Sequence, residues 1–416
     1  MKEIRVDVLV IGAGAAGMAA SIESASRGCH TVLLEREDCS GGVLNQCIHN
    51  GFGLHVFKEE LTGPEYADRF RRQMDEKGVQ VRTVQFVVSI DPSKKAVITM
   101  SQEGAVVFHP KRVIMTTGAR ERAFGSLMIP GTRPSGIFTA GVAQRFVNLQ
   151  NRLPGKKIFL LGSGDIGLIM ARRLALEGAD VLGVAELMPF PGGLARNIAQ
   201  CLNDFDIPLH LSTSVVEVHG KDRLEAITIA RFDPKTRTAI DGSHKKIEVD
   251  TLILSVGLIP QNELIDSFVQ IHPTTKGVVV DSMMRTSHPW IFAAGNNVAI
   301  YDLVDFVTLD GKTAGQNASR FEETFPSDTL PIVLGKSVGV SIPNKIVKQG
   351  DPFILYLRSK KVIEKGIVEI GPGLIRRTRI GIKPSEMIDI PFTQKDLERL
   401  RESNLDRVYI DIQEGS

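Results

Sequence analysis

The sequence is poor in the residues on which several functions would have to rest. Its 416 residues hold four cysteines, one tryptophan and four tyrosines. The cysteines are Cys29, Cys39, Cys47 and Cys201, and no two of them form a CxxC. No Cys/His set has zinc spacing, so no metal site is expected. A local cysteine cluster for an iron–sulfur centre is lacking too. Thiols this sparse suit a reducing compartment, and a cytoplasmic location is expected. The formal net charge of +2 gives no bulk attraction for nucleic acid or an anionic membrane. The few aromatics leave little to stack bases on, so nucleic acid is not an expected partner. No run approaches the roughly 18 uninterrupted apolar residues of a membrane span. The N-terminus starts like a secretory signal, with Lys2 and Arg5 before an apolar stretch reaching Ile22, but Asp7 interrupts it.

Glycine, in contrast, is plentiful and patterned. The apolar run 8–11 is followed by Gly12, Gly14 and Gly17 in GAGAAG. A small-residue segment then leads to a second apolar run, 31–34, which ends on Glu35. Strand, glycine turn, helix, strand and acid is the order of a dinucleotide-binding βαβ unit. The first glycine permits the tight turn, the second lets backbone approach a pyrophosphate, and the third lets helix and strand pack closely. The helix N-terminus offers N–H groups to the phosphates. Glu35, 18 residues past Gly17, is placed to accept hydrogen bonds from ribose hydroxyls.

The same phrase recurs. The run 157–161 precedes Gly162, Gly164 and Gly167 in GSGDIG, each 150 residues after its counterpart. A helix is expected over 169–177 and a strand over 181–185, closed by Glu186. Each βαβ unit has one crevice for a pyrophosphate, so two copies imply two dinucleotide sites. Between them, 79–90 and 96–100 read as a small meander. Residues 113–115 read as a buried strand ending in Thr116-Thr117-Gly118-Ala119-Arg120. A turn-rich meander over 209–246 precedes a buried strand at 251–256, ending at Gly257. Residues 290–294 form a short strand closing on Gly295-Asn296-Asn297. Asp302 or Asp305 is a candidate cap for a helix running to about Glu322. From about Pro326 onward the pattern is mostly β, with one helix at 394–402.

The order GAGAAG, TTGARER, GSGDIG, SVGLIP, IFAAGN resembles the two-dinucleotide-binding flavoprotein family that includes glutathione and thioredoxin reductases. The resemblance spans about residues 1–325. It implies an α/β fold with two Rossmann-like domains, the second inserted in the first, plus a small mainly β C-terminal domain. The expected boundaries are 1–120 with 251–325 for FAD, 121–250 for NAD(H), and 326–416 for the last domain. The implied FAD contacts are Gly12, Gly14, Ala16, Gly17, Glu35, Arg36, Gly42, Val88, Thr117, Gly118, Gly295 and Asn296. The implied NAD contacts are Gly162, Gly164, Ile166, Gly167, Glu186 and Gly257. A carboxylate at Glu186 pairs with a 2′-hydroxyl and repels a 2′-phosphate, so NADH is expected over NADPH.

Two departures from the family pattern bear on chemistry. The final motif reads Gly295-Asn296, where relatives usually carry Gly-Asp. An Asn can still accept from a ribityl hydroxyl, and can also donate. The CxxxxC that follows a Gly-Gly in disulfide reductases is missing: only Cys47 follows Gly41-Gly42, and Cys39 precedes them. A flavin-adjacent dithiol is therefore not expected.

The wording GGVLNQCIHNGFGLHVF, the segment AGNN…YDLVDF and the C-terminal appendage resemble a narrower branch. It comprises the FAD/NAD-binding subunits found beside anaerobic-type glycerol-3-phosphate dehydrogenases, opine oxidase, hydrogen cyanide synthase and dye-linked amino-acid dehydrogenases. That resemblance implies two partners, a second flavoprotein dehydrogenase subunit and a small iron–sulfur subunit.

Cys47 and His49 are the candidate catalytic residues, with His55 beside them. Each is either a proton donor near the flavin or part of a pocket wall. Arg376, Arg377 and Arg379 make the last domain either a docking module or a cap with a solvated basic face. Deleting it is expected to leave the flavin bound. Three functions stay open: a hydride-exchanging subunit of a glycerol-3-phosphate dehydrogenase-type complex, an electron-transfer or assembly subunit without nicotinamide turnover, and a free-standing NADH oxidase or disulfide reductase.

Overall fold

A computed structural model describes residues 2–321 and 328–415. The expected boundary near Pro326 and helix end near Glu322 lie outside the described residues. The α-helices are α1 (Ala15–Ser26), α2 (Gly63–Glu76), α3 (Ala140–Gln150), α4 (Asp165–Leu176), α5 (Ala195–Cys201), α6 (Val304–Ala318) and α7 (Gln394–Glu402). Contacts divide the chain into two units, residues 1–119 with 259–416, and residues 120–258. The second is thus inserted in the first.

The parallel part of the first unit's sheet runs Gln80–Arg82, Thr31–Leu34, Lys2–Ile11, Gly104–Met115, Ile291–Ala293. Strand Gly104–Met115 is shared. It pairs in parallel with Lys2–Ile11 from Val106 to Met115, and its end pairs in parallel with Ile291–Ala293. On its other side, its first half pairs antiparallel with Ala96–Ser101, which in turn pairs with edge strand Phe86–Asp91. Thr31–Leu34 is buried at every position, as a strand covered on both faces must be. Helix α2 starts on a capping box, with Thr62 and Glu65 satisfying each other's backbone N–H groups and Pro64 in the first turn.

The second unit repeats the plan. Its parallel sheet runs Leu209–Leu211, Asp180–Glu186, Lys157–Leu161, Thr251–Leu254, Ile137–Thr139. An antiparallel meander of Thr213–Gly220, Leu224–Arg231 and Lys245–Glu248 stands beside it. Both sheets therefore place the fingerprint strand centrally, with the acid-bearing strand next to it. This is the third-second-first-fourth order of a dinucleotide fold.

The C-terminal layer has a five-stranded sheet, a three-stranded sheet and α7. It has a core of its own, built on residues such as Leu355, Val368, Ile390 and Ile410. Yet Ile342, Tyr356 and Met387 are buried in the core of the first unit instead. The layer expected as a last domain thus has a core of its own and adds three residues to the core of the unit that carries the first fingerprint.

Candidate cofactor sites

The first fingerprint is tightly built. Gly12 has φ +102°, and a Cβ there would lie 2.5 Å from the Thr116 carbonyl oxygen. A Cβ at Gly17 would sit 1.8 Å from the Gly12 carbonyl oxygen, so only glycine lets α1 approach its strand. At Gly14, the N-cap of α1, a Cβ would meet nothing within 4 Å. The turn is thus closed on the protein side at two glycines and open at the third, the cradle a pyrophosphate requires. Glu35 is buried, and its carboxylate accepts from Ala13 N–H at 2.8 Å and from Glu37 N–H at 3.0 Å. It braces the turn, and each oxygen keeps a lone pair for a ribose hydroxyl.

The second fingerprint is its copy in hydrogen bonds as well as in spacing. Gly162 has φ +97°, and its Cβ would lie 2.1 Å from the Ser255 carbonyl oxygen. A Cβ at Gly167 would meet the Ser255 side chain at 2.6 Å. The Glu186 carboxylate accepts from Ser163 N–H at 3.0 Å and from Met188 N–H at 2.9 Å, matching the Ala13 and Glu37 pair. The Ser163 hydroxyl donates a further bond to Glu186 at 2.7 Å. Ile166 packs on the core beneath this turn, and Gly257 ends the neighbouring strand segment with φ +97°.

The other first-unit residues gather around α6. A Cβ on Gly295 would meet Ala16 at 3.0 Å and Val307 at 3.1 Å. Gly311 and Gly315 of α6 press against the backbone of α1, where added Cβ atoms would lie 2.3 Å from the carbonyl oxygens of Ala16 and Ala20. Thr117 donates to the Gln261 carbonyl at 2.6 Å, and Gly118 turns with φ +68°. The Asn296 side-chain oxygen accepts from Tyr301 N–H at 3.2 Å, so its NH₂ is the group that could donate to a ligand. Gly42 lies over the fingerprint, where its Cβ would come 3.3 Å from Gly14 Cα.

Some expected residues land elsewhere. Val88 sits 56% exposed on the edge strand Phe86–Asp91. The residues that bond beside the acid are Val84, which donates to the Glu37 carbonyl, and Gln85, which donates to that of Glu35, both at 2.9 Å. The strand Gln80–Arg82 delivers them there, and the bend that follows carries Val88 past the site. Arg36 is exposed and pairs loosely with Glu37 at 3.9 Å. Neither Asp302 nor Asp305 caps α6, whose N-cap is Leu303 with no side-chain cap bond. Asp302 accepts from Met387 N–H at 2.8 Å, in the C-terminal layer. Asp305 accepts from His55 N–H and the Tyr66 hydroxyl, both at 3.2 Å.

Cys47 and His49 lie in the segment between Gly42 and α2, and both are half-buried. The Cys47 carbonyl accepts from Gly63 N–H at 2.8 Å, and His49 packs on Phe52 with ring centroids 5.1 Å apart. His55 packs on Phe306 at 5.5 Å. All four cysteines are free thiols. Burial, then the Asp38 carboxylate, raise the Cys39 thiol, which keeps it protonated at neutral pH.

Sequence reasoning passed over one buried group. Asp310 on α6 accepts from the Tyr301 hydroxyl, and burial pushes its carboxyl up to about 7. Tyr356 of the C-terminal layer packs on Tyr301 and Phe306, at 5.5 and 4.8 Å. The layer therefore touches the segment between Asn296 and α6.

Fold and site define a flavin- and nicotinamide-dependent oxidoreductase. A profile of the pyridine nucleotide-disulphide oxidoreductase family matches residues 6–313, and the chain belongs to that family. Members of this class use FAD and NAD(P)H. The chain is 26% identical over 318 residues to an alkyl hydroperoxide reductase subunit of Staphylococcus aureus, covering 75% of this chain and 57% of that protein. It thus spans little more than half of that relative. It is 26% identical over 324 residues to a thioredoxin reductase of Listeria monocytogenes, covering 76% of this chain and 94% of that one. The crystal structure of T. acidophilum thioredoxin reductase shares the fold, with a TM-score of 0.62 and 24% identity over 76% of this chain and 98% of that one.

Proposed function

We propose that this chain binds FAD at the first fingerprint and NADH at the second. It would take hydride from NADH and pass the electrons from its flavin to an acceptor outside the chain. The observation that carries this reading is the matched pair of acids, Glu35 braced on Ala13 and Glu186 braced on Ser163. The flavin supplies the redox chemistry. The chain's residues hold and orient: glycine turns seat pyrophosphates, the two acids take ribose hydroxyls, and Asn296 donates to the ribityl chain. Glu186 favours NADH, because a 2′-phosphate would meet its negative charge.

The similarity to a thioredoxin reductase favours a free-standing reductase over a complex subunit. The cysteine pattern limits how such a reductase works. Cys201 is the only cysteine of the inserted unit, and it is buried. Nothing supports an internal dithiol relay, so the acceptor would meet the flavin directly or with help from Cys47 alone. The test is anaerobic mixing of the yellow protein with NADH, followed by re-oxidation with oxygen, a peroxide or a small disulfide. Fast flavin bleaching and re-oxidation by one of these supports the free-standing reading.

A second reading keeps a partner complex of the glycerol-3-phosphate dehydrogenase type, with a second flavoprotein and an iron–sulfur subunit. What favours it is the β layer beyond the family match, whose edge strand Ile375–Ile382 exposes Ile380 at 83%. Its arginines offer less: Arg376 pairs with Glu369, Arg377 with Asp396, and Arg379 donates to the Asp389 carbonyl. Bleaching by NADH with no turnover on soluble acceptors, and co-purification with a second flavoprotein, favours this reading.

A further inference from the structure

The internal repeat extends beyond the acids. Gly41-Gly42 follows Glu35 by six and seven residues, and Gly192-Gly193 follows Glu186 by the same six and seven. Both glycine pairs lie on their own fingerprints. Gly41 N–H donates to the Ala13 carbonyl at 2.7 Å, and a Cβ on Gly42 would lie 3.3 Å from Gly14 Cα. Gly192 N–H donates to the Ser163 hydroxyl at 2.8 Å, and a Cβ on Gly192 would lie 3.7 Å from the Gly164 nitrogen. Ala13 and Ser163 are counterparts 150 residues apart. The second copy has therefore replaced a backbone anchor with a hydroxyl.

That hydroxyl has two duties. Ser163 Oγ donates to Glu186 and accepts from Gly192 N–H. Ser163 is fully buried, so neither bond is shared with bulk water. Asp165 Oδ1 fastens the far end of the same loop, accepting from Leu194 N–H at 2.8 Å and from the Asn197 side chain at 2.6 Å. The C-terminal end of loop 187–194 is thus pinned over the second glycine turn at Gly192 and Leu194, and its start is held where Met188 N–H donates to Glu186.

We infer that loop 187–194 is a backbone clamp for the NADH pyrophosphate, and that Ser163 is the positioning residue that couples it to the ribose acid Glu186. The inference rests on the proposal that the second fingerprint takes NADH. Bare backbone at Gly192 lets a phosphate oxygen reach both the loop and the N-terminus of α4. A side chain there would intrude on the ligand, not on the protein. Its Cβ contacts of 3.6 Å to Ser163 Oγ and 3.7 Å to Gly164 N are ordinary van der Waals distances, and its φ is not positive.

This makes Gly192→Ala a clean probe: the holoprotein should fold, keep its FAD and keep its thermal midpoint. Equilibrium binding of NADH and of ADP-ribose, measured by calorimetry on the holoprotein, should weaken about tenfold or more, because the added methyl displaces the pyrophosphate from the donors of the turn. Ser163→Ala should weaken both about fivefold, the scale of one hydrogen bond. Ser163→Thr, which keeps the hydroxyl, should restore part of that loss. In flavin reduction, Gly192→Ala should raise the NADH concentration for half-saturation and leave the limiting rate within about twofold. Failure of the wild-type holoprotein to bind NADH or ADP-ribose overturns the proposed function and this inference together. Wild-type binding with unchanged affinity in both variants overturns the clamp alone. Tighter binding in either variant also overturns it, because the loop would then be an obstruction.

Discussion

The Glu186 carboxylate is held by Ser163 through both its backbone N–H, at 3.0 Å, and its hydroxyl, at 2.7 Å. In the proposed NADH site a carboxylate fixed this way could not turn aside for a 2′-phosphate, so charge repulsion would act at full strength. Glu186→Gln should remove the charge and keep the bonds from Ser163, while losing that from Met188 N–H, which an amide NH₂ cannot accept. Discrimination against NADPH, read as the ratio of kcat/KM values, should fall by about tenfold or more. An unchanged ratio would contradict the role given to this acid.

Asp310 makes stability depend on pH in a defined direction. The folded chain keeps this carboxyl protonated up to about pH 7, whereas an ordinary aspartate loses its proton near 3.8. Between those values the folded state binds more protons than the unfolded state. This contribution to stability is therefore full below pH 3.8, falls as pH rises to about 7, and then levels. The loss is on the order of a few kcal/mol. Asp310→Asn still accepts from the Tyr301 hydroxyl but cannot ionise. Urea unfolding at pH 5 and pH 8 should show a smaller difference for the variant than for the wild type.

Tyr356 separates packing from polarity. Its ring fills the junction between the C-terminal layer and α6, while its hydroxyl has no hydrogen-bond partner among the described residues. Tyr356→Ala should cost about 3–5 kcal/mol and lower the FAD content. Tyr356→Phe should be neutral or slightly stabilising, because it removes a buried group with no partner. Thermal melts of the two variants decide this. Removing the whole layer should not leave the flavin site intact, contrary to the expectation from sequence, since Ile342, Tyr356 and Met387 would be lost from its core.

Gly311→Ala opposes two effects of different size. In an exposed helix the change stabilises by about 1 kcal/mol through backbone entropy. Here the new Cβ would lie 2.3 Å from the Ala16 carbonyl oxygen, so α6 must move off α1. The clash should win, and the variant should lose stability by about 2 kcal/mol or more and bind FAD more weakly. Fluorescence of released flavin during a thermal ramp reports both.

Much of this was legible because the fingerprints are local. Glycines at φ +102° and +97°, flanking apolar strands and a closing acid all fall within about forty residues, and the structure builds both as one plan. Helix α7 runs over Gln394–Glu402 as its pattern predicts, because a capping box and amphipathic spacing mark it. The box Thr62-Gly63-Pro64-Glu65 marks α2 equally well and was available in the sequence. Gly192-Gly193 was available too, six residues past Glu186, but the repeat becomes visible there only once the hydrogen bond to Ser163 is seen. The misplacement of Val88 has a different origin: a bend after Arg82 decides which residues meet Glu35. The sharing of Tyr356 between layers depends on contacts across more than forty residues of chain, which no local pattern encodes.

In the proposed reaction a nicotinamide site and a flavin site of this chain work together without a cysteine pair. The most direct measurement is an anaerobic titration of the FAD-loaded Cys47→Ser variant with NADH, following the flavin absorbance. Complete bleaching with about one NADH per FAD is expected, at a rate within about twofold of the wild type. Failure of the wild-type protein to bleach, or bleaching that depends on Cys47, would contradict it.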